Sequence, residues 1–364
     1  MKKLLPVGLL VAAALMLTAC SGGSSGSDSG ASSGDEGALV VNGETIASGE
    51  LLAAAQAEGS MVLYDSFPEA QWRALLDVFT EDTGVEVEHV RVVTAQLYER
   101  VVSEAGSGRL AADAIGLGDI TLMQDLAKRG ILASVESPNA IASLDPGLYD
   151  PDHYWYTASR NAMALAYNEE LVPEADVPKS YEDLLDPKWK GQIGITPISI
   201  GGSAFAAFYV MRQVAGDDYW TKLAAQDPKQ YQSVTPMTQD IVRGEIPLGF
   251  TSPSVVAAAR AQGSPVNSVL FAEGTPVFAN LVALAANSSS PNAAKLYLEW
   301  LESKRGQQTV SEVAGEFPAR DDIPHEYAGA LVPSGGANII IPPFKVWLDS
   351  RDQLTSEWES IFNG

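Results

Sequence analysis

Short apolar segments alternate with amphipathic segments along the chain after residue 58. Segments 60–64 (SMVLY) and 114–117 (AIGL) are largely apolar and 85–93 (VEVEHVRVV) alternates, so each is predicted to be a β-strand. Segments 70–83 and 96–105 place apolar residues every three or four positions, as amphipathic helices do. Repeated strand and helix segments indicate an α/β fold in which helices cover a mostly parallel sheet.

The loops that follow these three strands hold the first candidate binding residues. In open α/β sheets ligands bind beyond the carboxyl ends of the strands, which points here to 65–69, 91–96 and 116–120. The candidates in or beside these loops are Tyr64, Ser66, Phe67, Arg91, Thr94 and Asp119. The two aromatic rings could form an apolar wall, Arg91 could bind an acidic group, and Asp119 could meet an ammonium group. A structural ion pair or a helix cap is the alternative role for the polar members.

A second group of candidates comes from the following half of the chain. Segment 192–196 is predicted to be a strand, and a glycine-rich loop at 197–204 leads into a predicted helix at 205–214. Free N–H groups at a helix N-terminus suit a carboxylate, phosphate or phosphonate oxygen. The candidates in this half are Arg160, Ser199, Gly202, Ser203, Thr251 and Ser252. The alternative is that the glycines only permit a tight turn and the hydroxyl groups cap helices.

Ordered motifs between residues 58 and 323 resemble those of a known family. They are 154–168, 178–191 (PKSYEDLLDPKWKG), 242–245 (VRGE), 263–266 (GSPV), 273–276 (EGTP), 291–294 (PNAA), 306–307 (GQ) and 318–320 (PAR). In this order they are similar to the type 2 periplasmic binding proteins of ABC importers, in the ferric-iron and phosphonate branch. Trp189 within the second motif, and Trp300 on a later helix, are expected to be core residues.

The resemblance implies two α/β lobes joined by crossing strands, which close like a hinge on a solute without chemistry. The crossings are expected near 161–165 and 279–283, with Pro318 as the candidate for a third. Lobe 1 is expected to comprise 38–162 with 279–318, and lobe 2 to comprise 163–278 with 319–364. The implied partners are a small-molecule solute and an ABC transporter permease. The chain is expected to be a monomer without a cofactor.

Iron is the main alternative ligand that the resemblance raises. Ferric members of the family hold the metal with paired tyrosines, which would fall just after residue 250, where this chain has Thr251 and Ser252. Hydroxyl side chains do not supply the anionic oxygens that Fe(III) prefers. The donors left elsewhere are Tyr64, Asp65, Glu69 and His89. A small organic solute, anionic or zwitterionic, is therefore the leading expectation, no metal site is assigned, and His89 is expected on the sheet surface.

The first residues of the chain are typical of a secretion signal. Two lysines precede the apolar run 4–17, which is too short for a comfortable membrane span. The sequence LTAC that ends at Cys20 resembles the lipobox of bacterial lipoproteins, so 1–19 is expected to be the signal peptide and Cys20 the lipidated residue. The polar residues that follow Cys20, up to position 37, are expected to form a solvated tether. The protein is then expected outside the cytoplasm, lipid-anchored to a bacterial membrane; an ordinary cleaved signal is the alternative.

Charge and composition narrow the class of partner. The chain carries 23 basic and 46 acidic residues, a formal net charge of −23, which argues against nucleic acid because phosphate contacts need clustered Lys and Arg. A hydrophobic content of 46% over 364 residues is enough for more than one core. The sequence contains none of the common nucleophile, zinc or dinucleotide motifs, so no enzyme is expected. An extracytoplasmic hydrolase and a sensory or adhesive lipoprotein are the alternatives.

Overall fold

Two β-sheets with helices on their faces organise the chain. The structure, a computed structural model, describes residues 37–324, 330–332 and 336–364, and Asp35–Gly364 form one compact unit. The expected signal peptide, Cys20 and nearly all of the tether lie outside the described residues. Among the helices that are described, none has both the length and the hydropathy needed to cross a bilayer.

The elements up to residue 150 begin with a small hairpin and continue with alternating strands and helices. They are β1 (Leu39–Val41), β2 (Glu44–Ala47), α1 (Gly49–Glu58), β3 (Ser60–Asp65), α2 (Glu69–Thr83), β4 (Glu86–Arg91), α3 (Thr94–Gly106), β5 (Ala114–Leu117), α4 (Ile120–Lys128) and α5 (Pro138–Ser143). Gly84 ends α2 at a φ of 74°, a left-handed conformation that glycine adopts without strain. The strands and helices predicted here are confirmed, with ends shifted by no more than two residues.

The remaining elements build a second sheet and then return to the first. They are β6 (Tyr156–Ala162), β7 (Ala164–Asn168), β8 (Ile193–Ile195), α6 (Gly202–Ala215), α7 (Tyr219–Ala224), β9 (Lys229–Gln230), α8 (Val234–Val242), β10 (Leu248–Thr251), α9 (Pro253–Ala261), β11 (Val266–Val269), β12 (Thr275–Leu284), α10 (Pro291–Glu302), α11 (Lys304–Glu312), β13 (Ile339–Ile340) and α12 (Phe344–Phe362). The helix predicted at 205–214 begins three residues earlier, at Gly202.

Each sheet forms the centre of one lobe. The first sheet has the order β13-β12-β5-β3-β4, with β6 also paired to β12, and the second has the order β11-β7-β10-β8-β9. β3 runs parallel to β4 and β5, and β8 runs parallel to β9 and β10. β7 is antiparallel to β10 and β11, whereas β12 is antiparallel to β5 and β6 but parallel to β13. The predicted α/β fold with two lobes is confirmed, but the sheets are mixed rather than mostly parallel.

Between successive described strands, the chain passes from the first sheet to the second after β6 and returns after β11. β6 in the first sheet is followed by β7 in the second, with only Met163 between them. The return lies at 270–274, between β11 and β12, and the expected position at 279–283 is wrong because these residues pair with β5 and β6 inside the first sheet. Near the expected third crossing, Phe317 bridges to β6 and Leu331 bridges to β11.

The C-terminal helix α12 contacts both lobes, so 319–364 does not belong to lobe 2 alone. β13 pairs with β12 in the first sheet. On α12, Arg351 forms an ion pair of 2.6 Å with Asp119 at the start of α4, and Glu357 forms one of 2.6 Å with Arg212 on α6. α12 therefore links a helix of the first lobe to a helix of the second.

Large aromatic residues fill the cores on both sides. Trp300 is fully buried against Phe79 in an edge-on contact, and its indole N–H donates to Asp82 at 2.8 Å. Trp189 is buried beneath the amino group of Lys188. The prediction that both tryptophans are core residues is confirmed.

Candidate functional site

A cavity of about 110 Å³ lies between the two lobes. The residues of the first lobe that line it are Ser66, Phe67, Pro68, Arg91, Val93, Thr94, Gly118, Asn161, Phe278 and Asn280. The residues of the second lobe are Ile200, Gly201, Gly202, Ser203, Gln232, Ser233, Val234, Thr235, Ser252 and Val255, and Met163 lies at the crossing. We call these two sets the first wall and the second wall.

The first wall is formed where the three parallel strands of the first sheet end. β3, β4 and β5 finish side by side, and backbone hydrogen bonds join the loops: Ser66 N–H donates to Gly116 at 3.1 Å and Val92 N–H donates to Asp65 at 2.9 Å. This places the three loops that the sequence indicated around one cavity. The rule that ligands bind beyond the carboxyl ends of strands therefore applies to this sheet.

Arg91 is the single charged side chain among the described residues that line the cavity. It is the last residue of β4, its register partner is Asp65, and its Nε donates to the Phe67 carbonyl at 3.3 Å. Within the described part of the chain the guanidinium forms no salt bridge, so its remaining N–H groups are not occupied by a carboxylate. A guanidinium in this position can bind a carboxylate or phosphate oxygen.

A buried contact between a histidine and a carboxyl group supports the first wall from behind. His89 Nε2 lies 2.9 Å from Asp65 Oδ2, and the His89 side chain is only 5% exposed, so the expectation of a surface histidine is wrong. Both residues are brought together because β3 and β4 run parallel. Burial raises the pKa of Asp65, and the hydrogen bond and charge of His89 oppose this shift.

The second wall is built from the starts of three helices. α6, α8 and α9 follow Gly201, Ser233 and Ser252, and none of these N-cap residues makes a side-chain capping bond. The first N–H groups of a helix have no partner within the helix and carry the positive end of its dipole. α9 differs in that its first residue, Pro253, has no N–H and the Val255 N–H donates to the Ser252 carbonyl at 3.1 Å, so the free donors come chiefly from α6 and α8. Because all three cap residues line the cavity, a neutral wall can still attract an oxyanion.

Two asparagines form the floor of the cavity. Asn161 on β6 and Asn280 on β12 donate through their amide N–H groups to opposite oxygens of the buried Glu316, at 2.9 and 3.0 Å. The Asn161 carbonyl oxygen accepts a hydrogen bond of 2.7 Å from the Ser252 hydroxyl. Since Ser252 belongs to the second wall, this bond joins the two lobes.

The lobes approach each other most closely at Gly202. A Cβ atom at this position would lie 1.7 Å from the carbonyl oxygen of Gly118, across the cleft. A Cβ at the neighbouring Gly201 would lie 3.6 Å from the Cβ of Thr94. The structure is therefore a closed arrangement in which the backbone of α6 touches the first lobe, and only glycine fits at 202.

Seven of the twelve candidate residues line this cavity. They are Ser66, Phe67, Arg91, Thr94, Gly202, Ser203 and Ser252. Ser203 lies in the first turn of α6, after the N-cap Gly201, so it is not the N-cap that its sequence context allowed. Thr94 is likewise the first residue of α3, and its N-cap is Val93.

The other five candidates are engaged elsewhere, which corrects their assignment to the cleft. Tyr64 is buried in the first lobe and its hydroxyl accepts from Arg100 at 2.6 Å. Asp119 caps α4 and pairs with Arg351. Arg160 donates to the Pro318 carbonyl at 2.8 Å and pairs with Asp321. Ser199 is exposed, and the buried Thr251 accepts from the Thr238 hydroxyl at 3.1 Å.

The cavity also contains residues that were not among the candidates. Asn280 is a polar residue within the apolar run of β12, and that exception is a signal that the sequence offered. Asn161 gives no such signal, because Thr157, Ser159 and Arg160 in β6 are polar as well. Residues 232–235 carry no such signal, because they are the end of an ordinary connection from β9 and the first two residues of α8. Only the packing of the second sheet brings them to the cavity.

The lining offers little to a bare metal ion. None of the described lining residues is Tyr, His, Asp or Glu. Across 37–324, 330–332 and 336–364, no group of three or more His, Cys, Asp or Glu side chains could hold a metal ion. Of the donors left open by the sequence, Asp65 and His89 contact each other behind the first wall, whereas Tyr64 contacts Arg100 and Glu69 pairs with Arg73 at the surface at 2.9 Å.

Comparison with protein families gives one match that covers most of the chain. Residues 74–330 match the family model described as "Bacterial extracellular solute-binding protein". The "Major ferric iron-binding protein" of Neisseria meningitidis serogroup B is 25% identical over 285 residues, which is 75% of this chain and 85% of that protein. The "Putative 2-aminoethylphosphonate-binding periplasmic protein" of Salmonella typhimurium is 27% identical over 270 residues, 69% of this chain and 75% of that protein.

Solved structures show the same fold. The periplasmic binding protein AfuA from Actinobacillus pleuropneumoniae, with exogenous fructose-6-phosphate bound, superimposes with a TM-score of 0.71 at 22% identity, over 84% of this chain and 99% of that chain. Iron-bound HitA from Pseudomonas aeruginosa superimposes with a TM-score of 0.67 at 22% identity, over 84% and 98% of the two chains.

Proposed function

The chain belongs to the bacterial extracellular solute-binding proteins, and from this premise we propose that it captures a small anionic organic solute between its lobes. The closed, loaded form then presents the solute to the permease of an ABC importer. Capture shifts the population toward the closed form, so the affinity depends on the closing equilibrium as well as on contacts. No chemical step is involved.

The proposal rests chiefly on the positive charge of the side chains that line the cavity. Arg91 is an unpaired cation on the first wall, the described lining residues include no carboxylate, and three helix N-termini face it from the second wall. In a chain with a net charge of −23, a site without acidic side chains favours a negatively charged ligand locally. An acidic group held between Arg91 and the α6 N-terminus would contact both lobes at once.

The size of the cavity limits the solute. Its volume of about 110 Å³ is well below the roughly 300–1,000 Å³ of sites for drug-sized ligands. A compact solute with one acidic group is therefore favoured over a large one. Among the relatives, the ligands named are ferric iron, 2-aminoethylphosphonate and fructose-6-phosphate, and the second and third are small organic anions or zwitterions.

A thermal-shift panel tests the proposal directly. The panel compares phosphate, phosphonates, sugar phosphates, carboxylates and amino acids with neutral sugars, polyamines and ferric citrate. A solute that binds only the folded state at 100 times its Kd adds about 2.7 kcal/mol, which corresponds to a shift of several degrees. We expect a shift with one anionic class. A shift only with ferric salts or polyamines, or none at all, would contradict the proposal.

We also propose that lipid on Cys20 holds the protein at the outer face of a bacterial membrane. The support is the LTAC sequence after a short apolar run and the polar tether that follows. Membrane fractionation and mass measurement of the mature N-terminus test this. Cys20→Ser should move the protein to the soluble fraction; equal membrane retention of both forms would contradict lipidation.

A further inference from the structure

Glu316 lies directly beneath the cavity floor and takes no part in lining the cavity. It follows α11 and is fully buried, and the next residue, Phe317, bridges to β6. One oxygen accepts from Asn161 at 2.9 Å, and the other accepts from Asn280 at 3.0 Å and from Ser159 at 2.5 Å. A fully buried carboxyl group with three hydrogen bonds therefore lies directly behind two residues that line the cavity.

We infer that Glu316 is a positioning residue that orients the two floor asparagines and, through Asn161, stabilises the closed arrangement of the lobes. The inference concerns the cavity of the proposed function and rests on it. It assigns a role to a residue that does not contact the solute.

The orientation follows from the chemistry of the groups. An ionised carboxyl group can only accept hydrogen bonds, so an amide that contacts it must turn its NH2 toward it. Asn161 and Asn280 both do so, which turns their carbonyl oxygens away from Glu316. In the described part of the chain no donor contacts the Asn280 carbonyl oxygen, which is thus left as an acceptor at the cavity.

The link to closure passes through Asn161. Its carbonyl oxygen accepts from the Ser252 hydroxyl at 2.7 Å, and that hydroxyl also contacts Ser254 at 2.8 Å at the start of α9. Asn161 belongs to the first sheet, whereas Ser252 follows β10 of the second. The bond therefore exists only while the lobes are together, and it requires the amide orientation that Glu316 imposes.

The protonation state of Glu316 should make this role depend on pH. Burial, aided by the charge of Asp65, raises the pKa of Glu316 to about 7, and the three hydrogen bonds oppose the shift. Asp65 on β3 is the charged group that acts on Glu316, and it is itself countered by His89 and Arg91. A protonated carboxyl group gains a donor and loses an acceptor, so the asparagines are no longer held in one orientation.

A disulfide formed across the cleft measures closure without any solute. A Cβ at position 201 would lie 3.6 Å from that of Thr94, within the roughly 3.5–4.5 Å that a disulfide needs. The compact unit Asp35–Gly364 contains no cysteine, so Thr94→Cys with Gly201→Cys supplies the only pair. The rate of oxidation by diamide then reports how often the lobes close.

Glu316→Gln should lower this rate at least threefold at pH 8, because the NH2 of the new amide opposes the NH2 of one asparagine. The oxidation rate of the double-cysteine protein with Glu316, divided by that of the same protein with Glu316→Gln, should approach one at pH 6, where Glu316 is protonated. Both proteins carry the same cysteines, so the ratio cancels thiol ionisation. Equal rates at pH 8, or a ratio that does not change with pH, would overturn the inference.

The matched control is Glu302→Gln. Glu302 is also fully buried with a raised pKa, it lies on α10, and its carboxyl oxygens have no hydrogen-bond partner among the described residues. This variant should leave the rate unchanged; a loss equal to that of Glu316→Gln would overturn the inference.

Ser252→Ala keeps the test decisive if Glu316→Gln does not fold. It removes the second-lobe end of the same link and should also lower the rate about threefold. Where both fold, the double variant should lose no more than either single one, and additive losses would contradict a shared path. The assay needs no solute, so a wrong solute class would leave it readable.

Discussion

The two walls of the cavity use different chemistry for one ligand. The first wall supplies a side-chain cation, Arg91, and two amides fixed by a buried carboxyl group. The second wall supplies backbone N–H groups chiefly at the starts of α6 and α8, since α9 begins with Pro253, and none of its described lining residues is charged. A cation attracts at longer range than a helix terminus, whose effect falls off within one turn. The first lobe is thus suited to hold the solute first and the second to close on it.

The walls also differ in what lies behind them. Behind the first wall are the buried ionisable groups Asp65, His89 and Glu316. The buried ionisable groups of the second lobe include Tyr181 and Tyr219, whose pKa values burial raises further above 10. Because burial raises the pKa of Glu316 to about 7, this group behind the first wall responds to pH in the neutral range, whereas these tyrosines stay neutral there.

Gly202→Ala should have the largest effect on affinity, because it should keep the second wall from reaching a solute held on the first wall. Its Cβ would overlap the Gly118 carbonyl oxygen at 1.7 Å, so the lobes could not reach the closed arrangement. We expect the affinity for the solute found in the thermal-shift panel to fall roughly 100-fold or more. Calorimetry measures the affinity, and small-angle scattering measures closure.

The control for this variant is Gly106→Ala, at a helix residue where an added Cβ meets nothing within 4 Å. Its affinity should equal that of the wild type. Closure of the Gly202→Ala protein at saturating solute would refute the role given to the glycine.

Arg91→Gln should remove the long-range attraction of the first wall and leave the second intact. A hydrogen bond to a charged group contributes about 2–3 kcal/mol, so the affinity should fall roughly 30- to 150-fold while the melting temperature of the empty protein stays nearly constant. Arg129→Gln, at the exposed arginine that follows α4 as its C-cap, is the control and should bind normally. If Arg91→Gln bound as the wild type does, the assignment of the first wall would be wrong.

Stability should fall as the pH rises from 5 to 7.5, through carboxyl groups of the first lobe. Burial raises the pKa of Glu316 to about 7 and that of Glu299 to about 6, both from 4.5. The folded state then binds more protons than the unfolded state in this window, so the stabilisation is complete below about pH 4.5 and is lost as the pH rises through these values. With about 1.4 kcal/mol per pKa unit, we expect a loss of roughly 2 kcal/mol or more.

Urea denaturation at several pH values measures this loss, and Glu316→Gln should make the slope shallower. Hydrogen exchange should place the change in the first lobe. A slope that Glu316→Gln leaves untouched would show that the effect arises elsewhere.

Ser203→Ala should have the smallest effect. It removes one hydroxyl group from the second wall but leaves the backbone N–H groups of α6, which the proposal makes the main contact. We expect a loss of about 1 kcal/mol, close to fivefold in affinity, without a change in melting temperature. A loss as large as that of Arg91→Gln would mean that the hydroxyl group, and not the helix N-terminus, holds the ligand.

The sequence alone predicted the strands and loops of the first sheet well. A buried strand followed by a polar loop and an amphipathic helix is a local pattern, so β3, β4 and β5 and their loops were placed within two residues. The loops meet at one cavity because neighbouring parallel strands end together, which is a general rule. For this reason Ser66, Phe67, Arg91 and Thr94 could be proposed without a structure.

Other assignments depended on partners far away in the sequence, which only the tertiary structure supplies. Asp119 and Arg160 look like free charges, but Arg351 and Asp321 pair with them. His89 looks like a surface residue until the parallel register places it against Asp65. The length of β12 inside the first sheet was also set by its pairing with β5 and β6, so the second crossing lies earlier than the local pattern indicated.

The sequence by itself thus determined the α/β class, the two lobes and the strand ends at which a ligand would lie, since these follow from local periodicity and ordered motifs. The tertiary structure decided which polar groups remain free to bind and which are already paired. That choice depends on contacts across 36 to more than 150 residues, such as those of Glu316 with Asn280 and Asn161. Local patterns carry no information on such distances, because hydrogen bonds and ion pairs are satisfied in space and not along the chain.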